Sequence, residues 1–278
     1  MPSHPSQPGP SVAVVMPSFN SARYIGAALD SVLHQTYRSF LVVVVDGGST
    51  DGTRQVVQSI AADHPNICWI DNKDDKGPAH ARSVGIDYAR AECNAKYVAF
   101  LDADDFWLPE KLEAQIEFMA RTDARFCYTR YRVISEDGAK VGCLVPMRRW
   151  YDFKKALRHR GIGTLTVMID LELLTDDVIR VWRRAGGEEL LWWLLIFRKG
   201  MIGHLLDRDL ARYRDTVGSL SKNLSYTLRS VWSMYRVDLQ LPVAVAAFDY
   251  LSYFLDSVLR KVRLAACRQT VALKEAVR

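Results

Sequence analysis

The chain has 278 residues, 49% apolar and 25% charged, which suits a folded α/β protein with room for an appendage and excludes a wholly disordered chain. Its net charge of +5 is confined to the segment from Lys222 onward, where nine Lys/Arg face four Asp/Glu, so the first 221 residues are about neutral. A neutral body with a basic end argues against a nucleic-acid partner and suits a local anionic one, such as a lipid surface.

Met1 to Ser11 is rich in Pro and Ser, lacks an apolar run and a basic start, and reads as a flexible tail, not a signal peptide. Val12–Met16 is an apolar strand closed by Pro17, followed by the loop Ser18-Phe19-Asn20-Ser21. Ile25, Leu29 and Val32 recur at helical spacing. Phe40–Val45 is a second strand, apolar without alternation, as in a parallel sheet buried on both faces. It runs into Asp46-Gly47-Gly48-Ser49-Thr50-Asp51-Gly52 and a helix from Thr53 to about Ala62. Cys68–Ile70 is a short third strand. Lys76-Gly77-Pro78 opens a helix to about Ala91, and Tyr97–Leu101 is a fourth strand ending in Asp102-Ala103-Asp104-Asp105. Pro109 starts the next helix, where its missing N–H costs nothing.

This alternation predicts a doubly wound, mostly parallel sheet flanked by helices, with ligands at the carboxyl edge of its strands. Phe126–Ile134 and Leu165–Ile169 are expected to extend it with mixed direction. Gly186-Gly187-Glu188-Glu189 precedes a helix over Leu190–Phe197, Leu205–Tyr213 is a last strand, and everything from Ser221 onward is helical and amphipathic. There are no internal repeats. Cys68, Cys93, Cys127, Cys143 and Cys267 form no C-x-x-C pair, which suits apolar fillers in a reducing cytoplasm and no structural zinc.

Three carboxylates within Asp102–Asp105 repel one another, and a hard divalent cation relieves that repulsion while leaving positions for phosphate oxygens. The glycines after Asp46 allow close backbone approach to a ligand. Neither a G-x-G-x-x-G nor a G-K-S/T phosphate loop is present.

Pro17-Ser18-Phe19-Asn20, Val45-Asp46-Gly47-Gly48-Ser49-Thr50-Asp51, Gly77-Pro78-Ala79-His80-Ala81-Arg82-Ser83 and Phe100-Leu101-Asp102-Ala103-Asp104-Asp105, in this order and spacing, resemble the inverting GT-A-fold glycosyltransferases of family 2. The resemblance covers residues 12 to about 220. It implies a GT-A catalytic domain over 12–220, with a nucleotide-binding half (12–120) and an acceptor-binding half (121–220), and a helical C-terminal region over 221–278. It implies transfer from a nucleotide-diphosphate sugar, with uridine the foremost base, to a hydroxyl of a glycan or lipid-linked glycan, with Mn²⁺ or Mg²⁺ as cofactor. Pro17 and Phe19 would flank the base, Asp46 would bind the nucleoside, and Asn20, Gly47 and Ala103 would line the donor. Arg82 would lie near the phosphates or nucleoside, Asp102 at the ribose or a metal-bound water, and Asp104 on the metal.

Further along, Gly187-Glu188-Glu189-Leu190-Leu191-Trp192-Trp193 resembles the segment that carries the family's general base, an Asp, with a Trp four residues on. Here Glu189 takes the place of the base, with Glu188 as the fallback, and Trp193 matches the aromatic and would line the nucleotide-sugar site. Tyr213-Arg214-Asp215-Thr216 and Ser219-Leu220-Ser221 resemble a later motif in which Thr216 replaces a histidine, leaving the third metal ligand open; Arg214 would neutralise leaving-group charge. Gly47 stands where many relatives have a second Asp, and Ser83 where they have Asn.

Two alternatives stay open. A sugar nucleotidyltransferase would need a glycine-rich, basic loop after the first strand, which Pro17–Asn20 does not supply. An inactive homologue serving as a partner-binding subunit is compatible with Glu189 and Thr216. In the tail, Phe248, Leu251, Leu255 and Leu259, followed by Arg260, Lys261 and Arg263, form an apolar stripe ending in cations. It can lie peripherally on an anionic membrane, pack on the catalytic domain, or pair with a second subunit; Pro242, Asp249 and Asp256 interrupt any membrane span.

Overall fold

The computed structural model describes residues 11–74, 76–93, 95–159, 161–181, 187–216 and 224–276. The tail up to residue 10, Gly186 and the segment Ser219–Ser221 lie outside the described residues.

Strands and helices alternate through β1 (Val12–Ser18), α1 (Ile25–Leu33), β2 (Phe40–Asp46), α2 (Thr53–Ala61), β3 (Ile67–Asp71), α3 (Pro78–Tyr88) and β4 (Tyr97–Phe100). Then come β5 (Phe106–Trp107), α4 (Lys111–Thr122), β6 (Phe126–Ile134), β7 (Val141–Leu144), β8 (Trp150–Tyr151), α5 (Phe153–Arg158), β9 (Val167–Asp170) and α6 (Asp176–Ile179). The described chain closes with α7 (Glu188–Arg198), β10 (Gly203–Arg214), α8 (Leu224–Ser233) and α9 (Val243–Ala276).

Among the described residues these strands form one sheet in the order β3-β2-β1-β4-β9-β6-β10-β5, with β7 on β6 and β8 on β10. β1 runs parallel to β2 and β4, and β2 runs parallel to β3. β9 enters antiparallel between β4 and β6, and β10 returns parallel to β6. The expected mixed direction of the second half is therefore present, and the short β5, β7 and β8, absent from the sequence reading, are added at its margin.

Every residue of β1 is buried, because helices cover both faces of a parallel sheet. One apolar cluster lies with α1 and α4, including Ile25, Leu29, Val32, Leu112 and Met119. The other lies with α3, α5 and α7, including Ile86, Leu157, Trp192 and Trp193. Chain order reverses at β1, whose neighbours are β2 and β4, so the loops after these three strands open a crevice at their carboxyl ends.

Two details aim α3 at that crevice. Gly77 has φ +103°, a conformation that favours glycine, and Pro78 sits in the first helical turn. Gly85 faces β1 so closely that an added Cβ would overlap the Val15 side chain. After Tyr88 the helix widens into a π turn over Ala89–Cys93.

The C-terminal helices pack on the body through α5 and β7. α9 is longer than its sequence pattern suggests, at 34 residues. Its inward face presents Asp249, Tyr253 and Ser257, all buried, whereas Phe248, Leu251, Leu255 and Leu259 remain exposed. Apart from the Arg158 guanidinium lying 4.9 Å from the Phe248 ring, the stripe therefore does not pack on the catalytic domain. Among the cysteines, Cys68, Cys93 and Cys127 are free, but Cys143 is disulfide-bonded, which corrects the expectation of unpaired thiols throughout.

Gly85→Ala is expected to destabilise the protein by roughly 1–3 kcal/mol, the usual cost of overpacking a core contact, read as a lower denaturant midpoint at unchanged slope.

Candidate active site

The loops after β1 and β2 are tied into one surface by side chains. The Gly47 amide donates to the Ser18 carbonyl at 2.8 Å. Asn20, held at φ +47°, accepts from the Thr50 amide at 2.9 Å, and its own amide donates to Ser49 Oγ at 2.7 Å. Asp46 is buried and accepts from the amides of Gly48 and Ser49 and from the Ser49 hydroxyl. Its carboxylate thus shapes the turn that follows β2. Asp51 accepts from the Ala22 amide and from Thr53, locking the start of α2 onto the first loop; burial opposes ionisation, but these donors hold its carboxyl below the ordinary value. Above this floor Phe19 is 60% exposed, a free aromatic face beside buried Pro17.

Two polar residues escaped the sequence reading. Asn72, just past β3, donates its amide to the Asp46 carbonyl at 2.8 Å, and its side chain lies 3.2 Å from His80 Nδ1 on α3. His80 falls inside the quoted Gly77–Ser83 motif, which was its available signal. Glu136, in the β6–β7 turn, accepts from Tyr24 Oη at 2.8 Å and pairs with Arg23 at 2.9 Å. Nothing local in the sequence marks it.

At the end of β4 the acidic turn is held by Arg214 on β10. The Arg214 amide donates to Asp105 Oδ1 at 2.8 Å, its Nε to the Asp104 carbonyl at 2.7 Å, and its Nη1 to the Glu136 carbonyl at 2.7 Å. These donors brace the turn. Burial, and then the neighbouring Asp102, push the Asp104 carboxyl up to about 6, against a hydrogen bond from the Thr216 side chain. Asp105 is buried, its Oδ2 has no hydrogen-bond partner, and burial followed by Asp104 and Asp102 raises its carboxyl well above the usual range.

The centre of the site is Arg82, whose side chain is 3% exposed. One Nη donates to Asp102 Oδ1 and the other to Glu189 Oε1, joining α3, the end of β4 and the first turn of α7. Burial opposes the Arg82 charge, but Asp102 and Glu189, with Glu188 behind them, hold its basicity above the ordinary value. Its Nε is buried and has no partner. Asp102 and Glu189 keep partial exposure, at 34% and 22% of their side chains. The structure therefore brings Arg82, Asp102 and Glu189 together, with Asp104 on the same turn as Asp102. Ala103 is buried within that turn. Trp193 is not part of this surface: it is 2% exposed and meets Phe126 edge-on at 5.1 Å between centroids, so it anchors α7 in the core.

The model of glycosyl transferase family 2 matches residues 13–170. The chain is a family 2 glycosyltransferase. It is 31% identical, over 91% of its length and 98% of the other's, to the putative teichuronic acid biosynthesis glycosyltransferase TuaG of Bacillus subtilis (strain 168). It is also 31% identical, over 84% and 88% of the two chains, to the Escherichia coli UDP-Glc:alpha-D-GlcNAc-diphosphoundecaprenol beta-1,3-glucosyltransferase WfgD. The fold matches the mannosyltransferase PcManGT from Pyrobaculum calidifontis in complex with GDP-Man and Mn²⁺ at a TM-score of 0.64 and 18% identity, covering 97% of this chain and 80% of that one. Fold class, transferase class and GT-A architecture are those expected from the motifs. As a family 2 glycosyltransferase the chain uses a nucleotide sugar.

Arg82→Met is expected to lower kcat/KM by at least about 100-fold, and Arg82→Lys to restore only a small part, because a single ammonium cannot fork to two carboxylates. Steady-state kinetics of the two variants check this.

The Asp104 shift gives a stability prediction with a definite sign. Its folded pKa lies above its unfolded one, so the favourable contribution present below about pH 4 is lost as pH rises through about 6. Without divalent cation, Asp104→Asn is expected to be more stable than the parent at pH 8, on the order of 2 kcal/mol, with the gap closing in melts at pH 4.

Proposed function

We propose that this family 2 glycosyltransferase moves a sugar from a UDP-sugar to a hydroxyl of a lipid-linked glycan, with inversion at the anomeric carbon and Glu189 as the general base. The observation that carries the reading is the shared guanidinium of Arg82, which puts Glu189 and Asp102 on the same cation at the carboxyl edge of the sheet. An acid–base residue and a donor-binding turn must face one reacting centre, and this bridge supplies that proximity.

In the proposed step Glu189 takes the proton of the acceptor hydroxyl as its oxygen attacks the anomeric carbon from behind. The bond from that carbon to the diphosphate oxygen breaks, and the nucleoside diphosphate leaves with the bonding pair. Arg82 orients the base. The exposed ring of Phe19 offers a stacking face for the nucleobase, and the Asp46 turn presents backbone beside it. The uridine and the lipid-linked acceptor are taken from the name of the WfgD relative.

The donor set at the acidic turn fits a hard divalent cation held jointly with the substrate. Among the described residues no group of three or more His, Cys, Asp or Glu forms a ready cage. A cation such as Mn²⁺ or Mg²⁺ that keeps waters and takes phosphate oxygens needs only one or two carboxylates from the protein. Asp104, crowded by Asp102 and buried enough to resist ionisation, would hold it, with Asp102 adjacent. When bound, the cation supplies charge neutralisation for the departing diphosphate.

Calorimetric titration with UDP, GDP, dTDP and CDP, each with and without Mn²⁺, is expected to show metal-dependent binding of UDP. Glu189→Gln should bind UDP within about twofold of the parent yet lose transfer by roughly 10²–10⁴, the usual share of a general base. Loss of transfer in Glu188→Gln instead would move the base to that residue. A folded protein that binds none of the four diphosphates would overturn the enzymatic reading in favour of a partner-binding subunit.

A further inference from the structure

The long C-terminal helix has two faces, and the rest of the protein packs on one of them, touching the other only where the Arg158 guanidinium lies 4.9 Å from the Phe248 ring. Inward, Asp249 pairs with Arg158 at 2.6 Å, Asp256 with His159 at 3.0 Å, and Arg260 donates to the Tyr131 hydroxyl at 2.9 Å. Outward, Phe248, Leu251, Leu255, Leu259 and Val262 are each more than half exposed. At 3.6 residues per turn these five fall within an arc of about 80°, running roughly 20 Å along the helix. An apolar row of this length on one side of a helix is not a scatter of surface leucines.

The charges around the row select what covers it. Lys261 and Arg263 are exposed at the C-terminal end of the row, Arg263 about 80° and Lys261 about 120° from its centre on opposite sides, within reach of the long basic side chains. Between Val243 and Arg263 the acids are Asp249 and Asp256, both engaged inward as described. The outward face therefore carries apolar side chains edged by cations and no acid. A second copy seated on it in parallel would bring cations toward cations, and an antiparallel one would offer them no carboxylate on the row, so neither arrangement gives the cations a partner. A bilayer surface with anionic headgroups accepts both features at once: the apolar row enters the acyl boundary, and the long basic side chains reach the phosphates. The Trp232 ring on α8, 38% exposed and 5.3 Å from that of Tyr250 on α9, adds an amphipathic aromatic of the kind favoured at such a boundary. Among the described residues no helix is long and apolar enough to cross a membrane, so the element lies on the surface.

We propose that α9 is an in-plane membrane anchor that docks this enzyme on an anionic lipid surface through Phe248, Leu251, Leu255, Leu259 and Val262, with Lys261 and Arg263 at the headgroups. The proposal goes beyond the catalytic reading and does not depend on the donor, the metal or the base. It gives a physical route by which a chain with no spanning helix among its described residues would reach the lipid-linked acceptors proposed above.

The test is sedimentation of the full chain with vesicles of phosphatidylcholine alone and of phosphatidylcholine mixed with phosphatidylglycerol. Binding is expected only to the mixed vesicles and should weaken with added salt. The double variant Leu251→Glu/Leu255→Glu should lose about tenfold or more of that binding. Neutralising Lys261 and Arg263 to Gln should cost roughly fivefold for each cation. These positions are solvent-exposed, so nucleotide titration and transfer to a water-soluble acceptor should match the parent, which separates loss of docking from loss of folding or catalysis. No sedimentation with mixed vesicles, or binding that the leucine variant leaves intact, overturns the proposal. A concentration-dependent dimer in light scattering that the leucine variant dissociates overturns it as well, and assigns the face to a second copy.

Discussion

A buried guanidinium cannot shed its proton, so its burial must be matched by negative charge. Arg82 imposes this condition on the whole catalytic half of the molecule. Its partners come from far along the chain, Asp102 from the end of β4 and Glu189 from the first turn of α7, and loss of either would leave one buried Nη of the guanidinium without its carboxylate. The position of Arg82 depends in turn on α3 lying close against β1, which the absence of a side chain at Gly85 permits. Helix–sheet packing thus becomes a distance constraint between two carboxylates. The unpartnered Nε adds to the picture: the group is incompletely satisfied by the protein alone, a state more easily understood beside a polar ligand than in a structural ion pair.

The acidic turn shows the opposite balance. Asp102, Asp104 and Asp105 crowd one another, and the Arg214 side chain braces the turn through backbone carbonyls of Asp104 and Glu136. The turn keeps its shape while its charges are relieved only in part, Asp102 by Arg82 and the others by Arg214, so that Asp104 and Asp105 still resist ionisation. Carboxyls held in this way lower the stability of the free protein when ionised, and a cation bound there, as proposed, would recover that cost. The surrounding sheet can carry the cost because β1, β2 and β4 are buried along most of their length.

How much of this the sequence revealed depends on how local the signal is. β1, β2 and β4 are unbroken apolar runs with polar residues at their ends, so both the strands and the crevice they open were legible. The motifs at Pro17–Asn20, Asp46–Asp51 and Asp102–Asp105 were legible for the same reason. The contact between Arg82 and Glu189 spans 107 positions and leaves no periodic trace. Trp193 follows Glu189 by four residues and so looked like part of the donor surface, but α7 turns that ring into the core. Asp46 carries a carboxylate at the right strand end, yet the amides of its own turn take up that carboxylate. In α9 the sequence displays the stripe clearly but not which side faces the body. Tertiary ion pairs at Asp249 and Asp256 decided that, by drawing the polar face inward.

The departures from the family pattern also acquire a place. Gly47 stands where many relatives have an acid, and its amide closes the β1 and β2 loops through Ser18. Thr216 stands where they have a histidine, and its side chain hydrogen-bonds to Asp104. Glu189 stands for their aspartate, and it reaches the guanidinium that also holds Asp102. Each of these three residues makes a contact at the site: Gly47 between two loops, Thr216 on the acidic turn and Glu189 on Arg82. A site drifting out of use would lose partners at such points and leave buried charge exposed to its full desolvation cost. Here the partners are present: Thr216 reaches Asp104, and Glu189 shares the Arg82 guanidinium with Asp102. Retention of these partners supports a working transferase over an inactive relative.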